Sequence, residues 1–112
     1  MEKSIKIFRA LSDENRLRIY LLLMQTELCV CELVNILDME QSRISHSLRI
    51  LKEAKLINNY RIGKWNIYSA NQKLKENKII QGLEYELKLS VRDLNNLAKC
   101  KKENIREKSR CN

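Results

Sequence analysis

The stretch Gln41-Ser42-Arg43-Ile44-Ser45-His46-Ser47-Leu48-Arg49-Ile50-Leu51-Lys52-Glu53-Ala54 decides the fold. At about 100° per residue, Ile44, Leu48 and Leu51 share one stripe of a helix over 41–54. Ser42, Ser45, Arg49 and Lys52 fall on the opposite side. That polar side is basic and hydroxylic, not mixed in sign. Short polar side chains allow close approach to base edges, and Arg and Gln pair bidentately with guanine and adenine. A preceding helix, a turn at Asp38-Met39-Glu40 and this helix make a helix-turn-helix.

Working outward, two alternating segments follow at 56–61 and 65–70, joined by Ile62-Gly63-Lys64. Gly63 supplies the permissive backbone of a hairpin turn. A basic hairpin after a helix-turn-helix is a wing. Upstream, the pattern predicts helices over 4–11 (Ile5, Phe8 and Leu11 inward), 14–24 (Leu17, Tyr20, Leu21 and Met24) and 29–37 (Leu33 and Leu37). Ser12 or Asp13 caps the second of these. A long final helix is predicted over 75–104. The fold class is therefore mainly α with a small β-hairpin, a winged helix-turn-helix, with one domain over 1–104 and a flexible charged tail over 105–112.

Composition agrees. The 112 residues suit one domain, and a chain of this size gains stability from a partner subunit. The formal net charge is +8, unevenly placed. Residues 1–40 carry five basic and seven acidic side chains, residues 41–75 eight and one, and residues 76–112 nine and six. A basic block in the middle third fits a polyanion-binding face, or a plain solvated surface. Two Gly and no Pro exclude a Gly-rich phosphate loop. The longest apolar run, Ile19 to Met24, is too short to cross a membrane. The first residues hold no apolar export core, so a reducing cytoplasmic setting is expected, with structural disulfides disfavoured.

Residues 8–70 resemble the ArsR/SmtB family of metal-sensing winged-helix repressors. The resemblance rests on four stretches in order. They are Phe8-Arg9-Ala10-Leu11-Ser12-Asp13-Glu14-Asn15-Arg16-Leu17-Arg18-Ile19, Glu27-Leu28-Cys29-Val30-Cys31-Glu32-Leu33, the 41–54 helix, and Gly63-Lys64-Trp65-Asn66-Ile67-Tyr68. The Cys-Val-Cys stretch is similar to the arsenic-responsive branch. The resemblance implies a homodimer that binds double-stranded operator DNA, an inverted repeat, in its apo form and is released by an inducer. It places Gln41, Ser42, Ser45, His46 and Arg49 at the major groove, with Arg43 and Lys52 on the same basic helix, and Arg61 and Lys64 on the wing. Where the family has a Ser or Thr cap before this helix, Glu40 stands, and the turn lacks Gly.

Cys29 and Cys31 are the candidate ligands. Soft thiolates select soft ions, and the resemblance implies arsenic(III) or antimony(III) as inducer, each preferring three sulfurs. The third Cys of the arsenic-responsive pattern is replaced by Val34, so the third donor is Cys100, Cys111, an external thiol or none. Cadmium, lead and zinc are less well suited: no Cys precedes Phe8, and the single His lies in the 41–54 helix. Residues two apart on a helix point about 200° away from each other. Capture of one ion by Cys29 and Cys31 is therefore expected to unwind the start of helix 29–37 and shift the adjoining DNA-reading helix. A helix N-terminus is also expected to favour thiolate.

On the final helix, Ile80, Leu83, Leu87, Leu94 and Leu97 form a seam expected to bury, with Ile5 and Phe8, a dimer interface. Two other readings stay open: a redox- or reactive-sulfur-responsive repressor of the same fold, and a constitutive architectural DNA binder with inert Cys. An enzyme is disfavoured, because Cys-x-x-Cys, a Cys–His pair on one face and a cofactor loop are all missing.

Overall fold

The computed structural model describes residues 1–108. The elements run α1 (Glu2–Leu11), α2 (Glu14–Gln25), β1 (Leu28–Cys29), α3 (Val30–Leu37), α4 (Gln41–Glu53), β2 (Ile57–Ile62), β3 (Trp65–Ala70), a single 3-10 turn (Gln72–Leu74), α5 (Lys78–Glu86), α6 (Val91–Lys102) and α7 (Ile105–Lys108). The expected winged helix-turn-helix is present: α3, a turn, α4, then the β2–β3 hairpin.

Each predicted boundary has a local cause. Asp13 caps α2 by accepting from the Arg16 N–H at 3.0 Å. The turn into α4 dispenses with Gly because Asp38 takes the left-handed backbone (φ 53°), a conformation Asp tolerates. Glu40 stands at the N-cap of α4 without a side-chain capping bond. Gly63 turns the wing at φ 56°. Strands β2 and β3 pair antiparallel, from Ile57 opposite Ala70 to Ile62 opposite Trp65.

The core is built where α1, α2, α3, α4 and the sheet meet. Ile44, Leu48 and Leu51 of α4 close on Ile19 and Leu22 of α2 and on Leu33 and Ile36 of α3. Helix α2 is buried along Ile19–Leu23, wider than the four-residue stripe expected, because α1, α4 and β3 all pack on it. Fully burying one such aliphatic side chain is worth about 2 kcal/mol.

The structure corrects four expectations. In α1, Ile7 and Ala10 face the core, while Ile5 and Phe8 face out, Phe8 being 54% exposed. Cys29, expected to begin the third helix, is not helical: with Leu28 it forms β1, which pairs with β3 so that the sheet order is β1-β3-β2. The long helix expected over 75–104 is two helices, α5 and α6. Asn77 caps α5 through the Ile79 and Ile80 N–H groups, and Ser90 caps α6 through Asp93 N–H, so each cap satisfies the free amides of a fresh helix start. Finally, the tail expected over 105–112 begins with α7, which packs on α3. Residues 109–112, with Cys111, lie outside the described residues.

Two links fix α6 to the body. Asp93, 1% exposed, accepts both Nε and Nη2 of Arg18 from α2 at 2.9 Å. Asn96 donates to the Ile36 carbonyl of α3 at 3.1 Å.

Candidate functional site

Cys29 is the last residue of β1 and the N-cap of α3. Its backbone is extended, so its side chain does not follow helical geometry. The expected divergence of the two thiols is therefore absent. Cys29 Sγ and Cys31 Sγ lie 2.9 Å apart, both buried, at 0% and 5% exposure. Ile67 and Trp65 of β3 pack over them. No unwinding of α3 is needed to bring the sulfurs together.

The expected thiolate is also corrected. Burial pushes the Cys29 thiol up to about 12, and the neighbouring Cys31 thiol and Glu32 carboxylate add to the effect. At neutral pH Cys29 is a protonated thiol, buried against Ile67 and Trp65 on one side and bordered by Glu32 on the other.

Sequence reasoning missed Glu32, which organises this site. The carboxyl is 2% exposed. Its Oε1 accepts from the Cys29 N–H at 3.0 Å, the side-chain half of a capping box. It also accepts from Arg106 Nε and Nη2 of α7, and Oε2 from Lys101 Nζ of α6 at 3.4 Å. Burial alone would raise its pKa. The Cys29 amide, Arg106 and Lys101 more than offset that and hold it below the ordinary carboxylate range. The Cys29-x-x-Glu32 spacing is the readable signal, since it is that of a capping box.

The site is tied to the wing by strand pairing and by two hydrogen bonds. Cys29 sits opposite Ile67 and Leu28 opposite Tyr68 in the β1–β3 pairing. The Trp65 indole N–H donates to the Arg106 carbonyl at 3.1 Å, and Tyr60 of β2 donates to the Glu27 carboxylate. Helix α3 packs on α4 directly.

Cys100 is fully buried on α6. Among the described residues, no three His, Cys, Asp or Glu side chains stand close enough to hold a metal ion in this conformation.

Gln41, Ser42, Arg43, Ser45, His46, Arg49 and Lys52 are all exposed on α4, and Arg61 and Lys64 on the wing. Arg49 Nη2 donates to His46 Nδ1 at 2.9 Å, and Lys64 Nζ stands 5.2 Å from the Trp65 ring centre. Of the seam residues, Ile80 is buried in the core, a correction to its expected place at an interface, and Leu83 and Leu97 are half-buried against that core. Leu87, Leu94, Ile5 and Phe8 are exposed, joined by Val91 and Tyr85.

Residues 13–59 match the arsR family of bacterial regulatory proteins. The arsenical resistance operon repressor of Escherichia coli is 46% identical over 65 residues, which cover 57% of this chain and 56% of that protein. A SmtB-homologous transcriptional repressor of Synechocystis is 39% identical over 67 residues, covering 60% and 50%. An uncharacterised helix-turn-helix transcriptional regulator of Methanocaldococcus jannaschii is 41% identical over 68 residues, covering 60% and 76%. The chain thus spans about half the length of the first two. The solved structure of reduced HlyU from Vibrio cholerae superposes with a TM-score of 0.67 at 25% identity, over 78% of this chain and 92% of that one. Fold, helix-turn-helix and these relatives agree: the chain belongs to the arsR family of bacterial regulatory proteins.

Proposed function

We propose that this chain is a transcriptional repressor that binds an inverted-repeat operator as a homodimer and lets go when arsenic(III) or antimony(III) bonds to Cys29 and Cys31. The observation that carries the reading is the 2.9 Å contact between the two buried thiols at the joint of wing and helix-turn-helix. Relatives named as arsenical resistance repressors support it. Three other relatives are named as cadmium resistance regulators, so the choice of ion is argued from the site.

Arsenous acid is neutral at pH 7 and carries hydroxides. A protonated thiol exchanges with such a hydroxide, releasing water and leaving the pocket's charge unchanged. A dication has to expel thiol protons or bring its charge into the buried site. Here Lys101 and Arg106 already outnumber Glu32, which further disfavours an added positive charge. Soft ions of the neutral, hydroxide-bearing kind suit the site best; cadmium, lead and zinc suit it less.

The switch runs through the β1–α3 joint. A ligand bridging the sulfurs changes their spacing and bears on the Glu32 cap, on the β1–β3 pairing and, through α3, on α4. Gln41, Ser42, Ser45, His46 and Arg49 read bases, while Arg43, Lys52, Arg61 and Lys64 meet phosphates or the minor groove. Leu87, Leu94, Ile5 and Phe8 form the dimer face, with Val91 and Tyr85 beside them.

The test is fluorescence anisotropy on the duplex upstream of the protein's own gene. Arsenite releases the wild type and leaves the Cys29→Ser, Cys31→Ser double variant bound. Equal release of both overturns the reading. A second reading uses the same contact, since two touching thiols form a disulfide when an oxidant takes their electrons. The raised Cys29 pKa slows that route, because the thiolate is the attacking form. Release by peroxide and not by arsenite would favour it.

A further inference from the structure

We propose that His46 is a positioning residue for operator reading: its ring nitrogen Nδ1 holds the Arg49 guanidinium ready for a guanine edge. The proposal rests on the reading of α4 as the helix that meets bases, and goes beyond it by giving the two side chains different tasks.

Helix geometry brings the pair together. Residues three apart are neighbours on one face, and long side chains lean toward the amino end of their helix. Arg49 lies back over His46 in this way, and its Nη2 donates to Nδ1 at 2.9 Å. Glu53 stands one turn further on, yet among the described residues Arg49 forms no ion pair. The guanidinium is thus carried toward the end of α4 whose residues contact base edges in a helix-turn-helix. Both side chains are exposed, as are Gln41, Ser42 and Ser45 before them.

The bond also fixes the state of the ring. Arg has donors only, so Nδ1 offers its lone pair and the ring proton sits on Nε2. One guanidinium N–H is used on His46, and the remaining four are enough for O6 and N7 of one guanine. An arginine without such a hold must be ordered as it binds, which weakens binding. Imidazole changes charge between about pH 5 and pH 8. Once protonated, the ring turns an N–H and a positive charge toward Nη2, and the hold is lost. The added charge meanwhile attracts phosphate of any sequence. Proton uptake therefore removes discrimination between sequences without weakening attraction to DNA as such. Asp13 and Arg16 of α2 and Arg43 of α4 share the groove beside His46. Carboxylates and guanidiniums keep their charge between about pH 5.5 and pH 7.5. The chain has one His.

Fluorescence anisotropy at fixed salt, without arsenite, compares the duplex upstream of the protein's own gene with a scrambled duplex. In the wild type the ratio of the two affinities should fall about three- to tenfold from about pH 7.5 to pH 5.5. His46→Ala should show the low ratio at both pH values. His46→Asn, whose Oδ1 accepts near the place of Nδ1, should show the high ratio at both. In an Arg49→Ala background, His46→Ala should add no further loss. A wild-type ratio that is flat with pH overturns the proposal, as does a His46→Ala ratio equal to the wild type's or a His46→Asn variant no better than His46→Ala. A further loss in the Arg49→Ala background also overturns it, since the imidazole would then read a base itself. In all these cases α4 still reads sequence. Equal wild-type affinity for both duplexes at about pH 7.5 overturns the reading of α4, and the proposal with it.

Discussion

Arg106 donates both Nε and Nη2 to Oε1 of Glu32, at 3.0 and 2.8 Å, so the C-terminal α7 is fastened to the carboxylate that caps the thiol-bearing helix. The Arg106 carbonyl in turn accepts from Trp65 of the wing. Three elements of the proposed switch share one residue. Arg106→Ala leaves a buried carboxylate with Lys101 alone, and it should cost about 2 kcal/mol of stability, read as a lower urea midpoint. It should also speed alkylation of Cys29 by a maleimide, since α7 no longer fastens over the joint. An unchanged midpoint and an unchanged alkylation rate would show that α7 merely rests there.

Stability should fall at both ends of the pH scale, for opposite reasons. Glu32 has a folded pKa below its unfolded value of about 4.3. Its contribution is present above that value and lost as pH falls through the folded one. Cys29 has a folded pKa raised from 9.0 to about 12. Its contribution is complete below about pH 9 and lost as pH rises toward about 12, because only the unfolded chain ionises there. Urea midpoints across pH should show both limbs. Glu32→Gln should flatten the acid limb, and Cys29→Ala should make the alkaline one shallower, the remainder coming from buried Cys100, pushed up to about 11, and Tyr20, pushed up to about 12.

The parts legible in the sequence are those where one face is buried and the other wet. Helix α4 shows its period because Ile44, Leu48 and Leu51 are set against polar neighbours, and the hairpin is marked by Gly63 at its turn. The long helix over 75–104 was misread because its apolar stripe continues through Leu87, while the break is signalled only by caps. Ser90-Val91-Arg92-Asp93 is such a cap signature, and Ser90 accepts from the Asp93 N–H at 3.1 Å. Two-residue strands such as β1 carry no period at all. Cys29 and Leu28 are extended because β3 offers them partners, a tertiary cause that no local pattern records. That one misassignment reversed the predicted thiol geometry. Glu32 was overlooked because a charged residue reads as solvated until its partners, 69 and 74 residues away, are known.

The exposed apolar side chains of α1, α5 and α6 should bury on self-association. Phe8 is 54% exposed and Leu94 43%, and neither carries load in the monomer core. Phe8→Asp with Leu94→Asp should convert a dimer to a monomer by sedimentation velocity, with helical content unchanged. DNA affinity should then drop steeply, since two half-sites are no longer bridged. A wild-type monomer at micromolar concentration would refute the dimer.

Contacts to phosphate and to bases should separate by salt. Lys64→Ala should weaken all duplexes alike and lower the slope of log affinity against log salt by about one. Arg49→Ala should instead cost about 1–3 kcal/mol on the preferred operator and much less on a scrambled duplex. If both variants lose affinity equally on both duplexes, α4 is not reading sequence.

The choice between a neutral hydroxide and a dication should appear in the pH dependence of release. With Cys29 protonated at neutral pH, exchange with arsenous acid frees water and no net proton. Arsenite affinity should therefore stay flat between about pH 6 and pH 8, well below that thiol's pKa. Cadmium has to displace protons as it binds, so its affinity should climb by about tenfold per pH unit for each proton released. Anisotropy titrations with both ions over that range decide the matter. A steep rise for arsenite would mean that the thiol is ionised in solution, and the charge argument that selects trivalent hydroxides would fall with it.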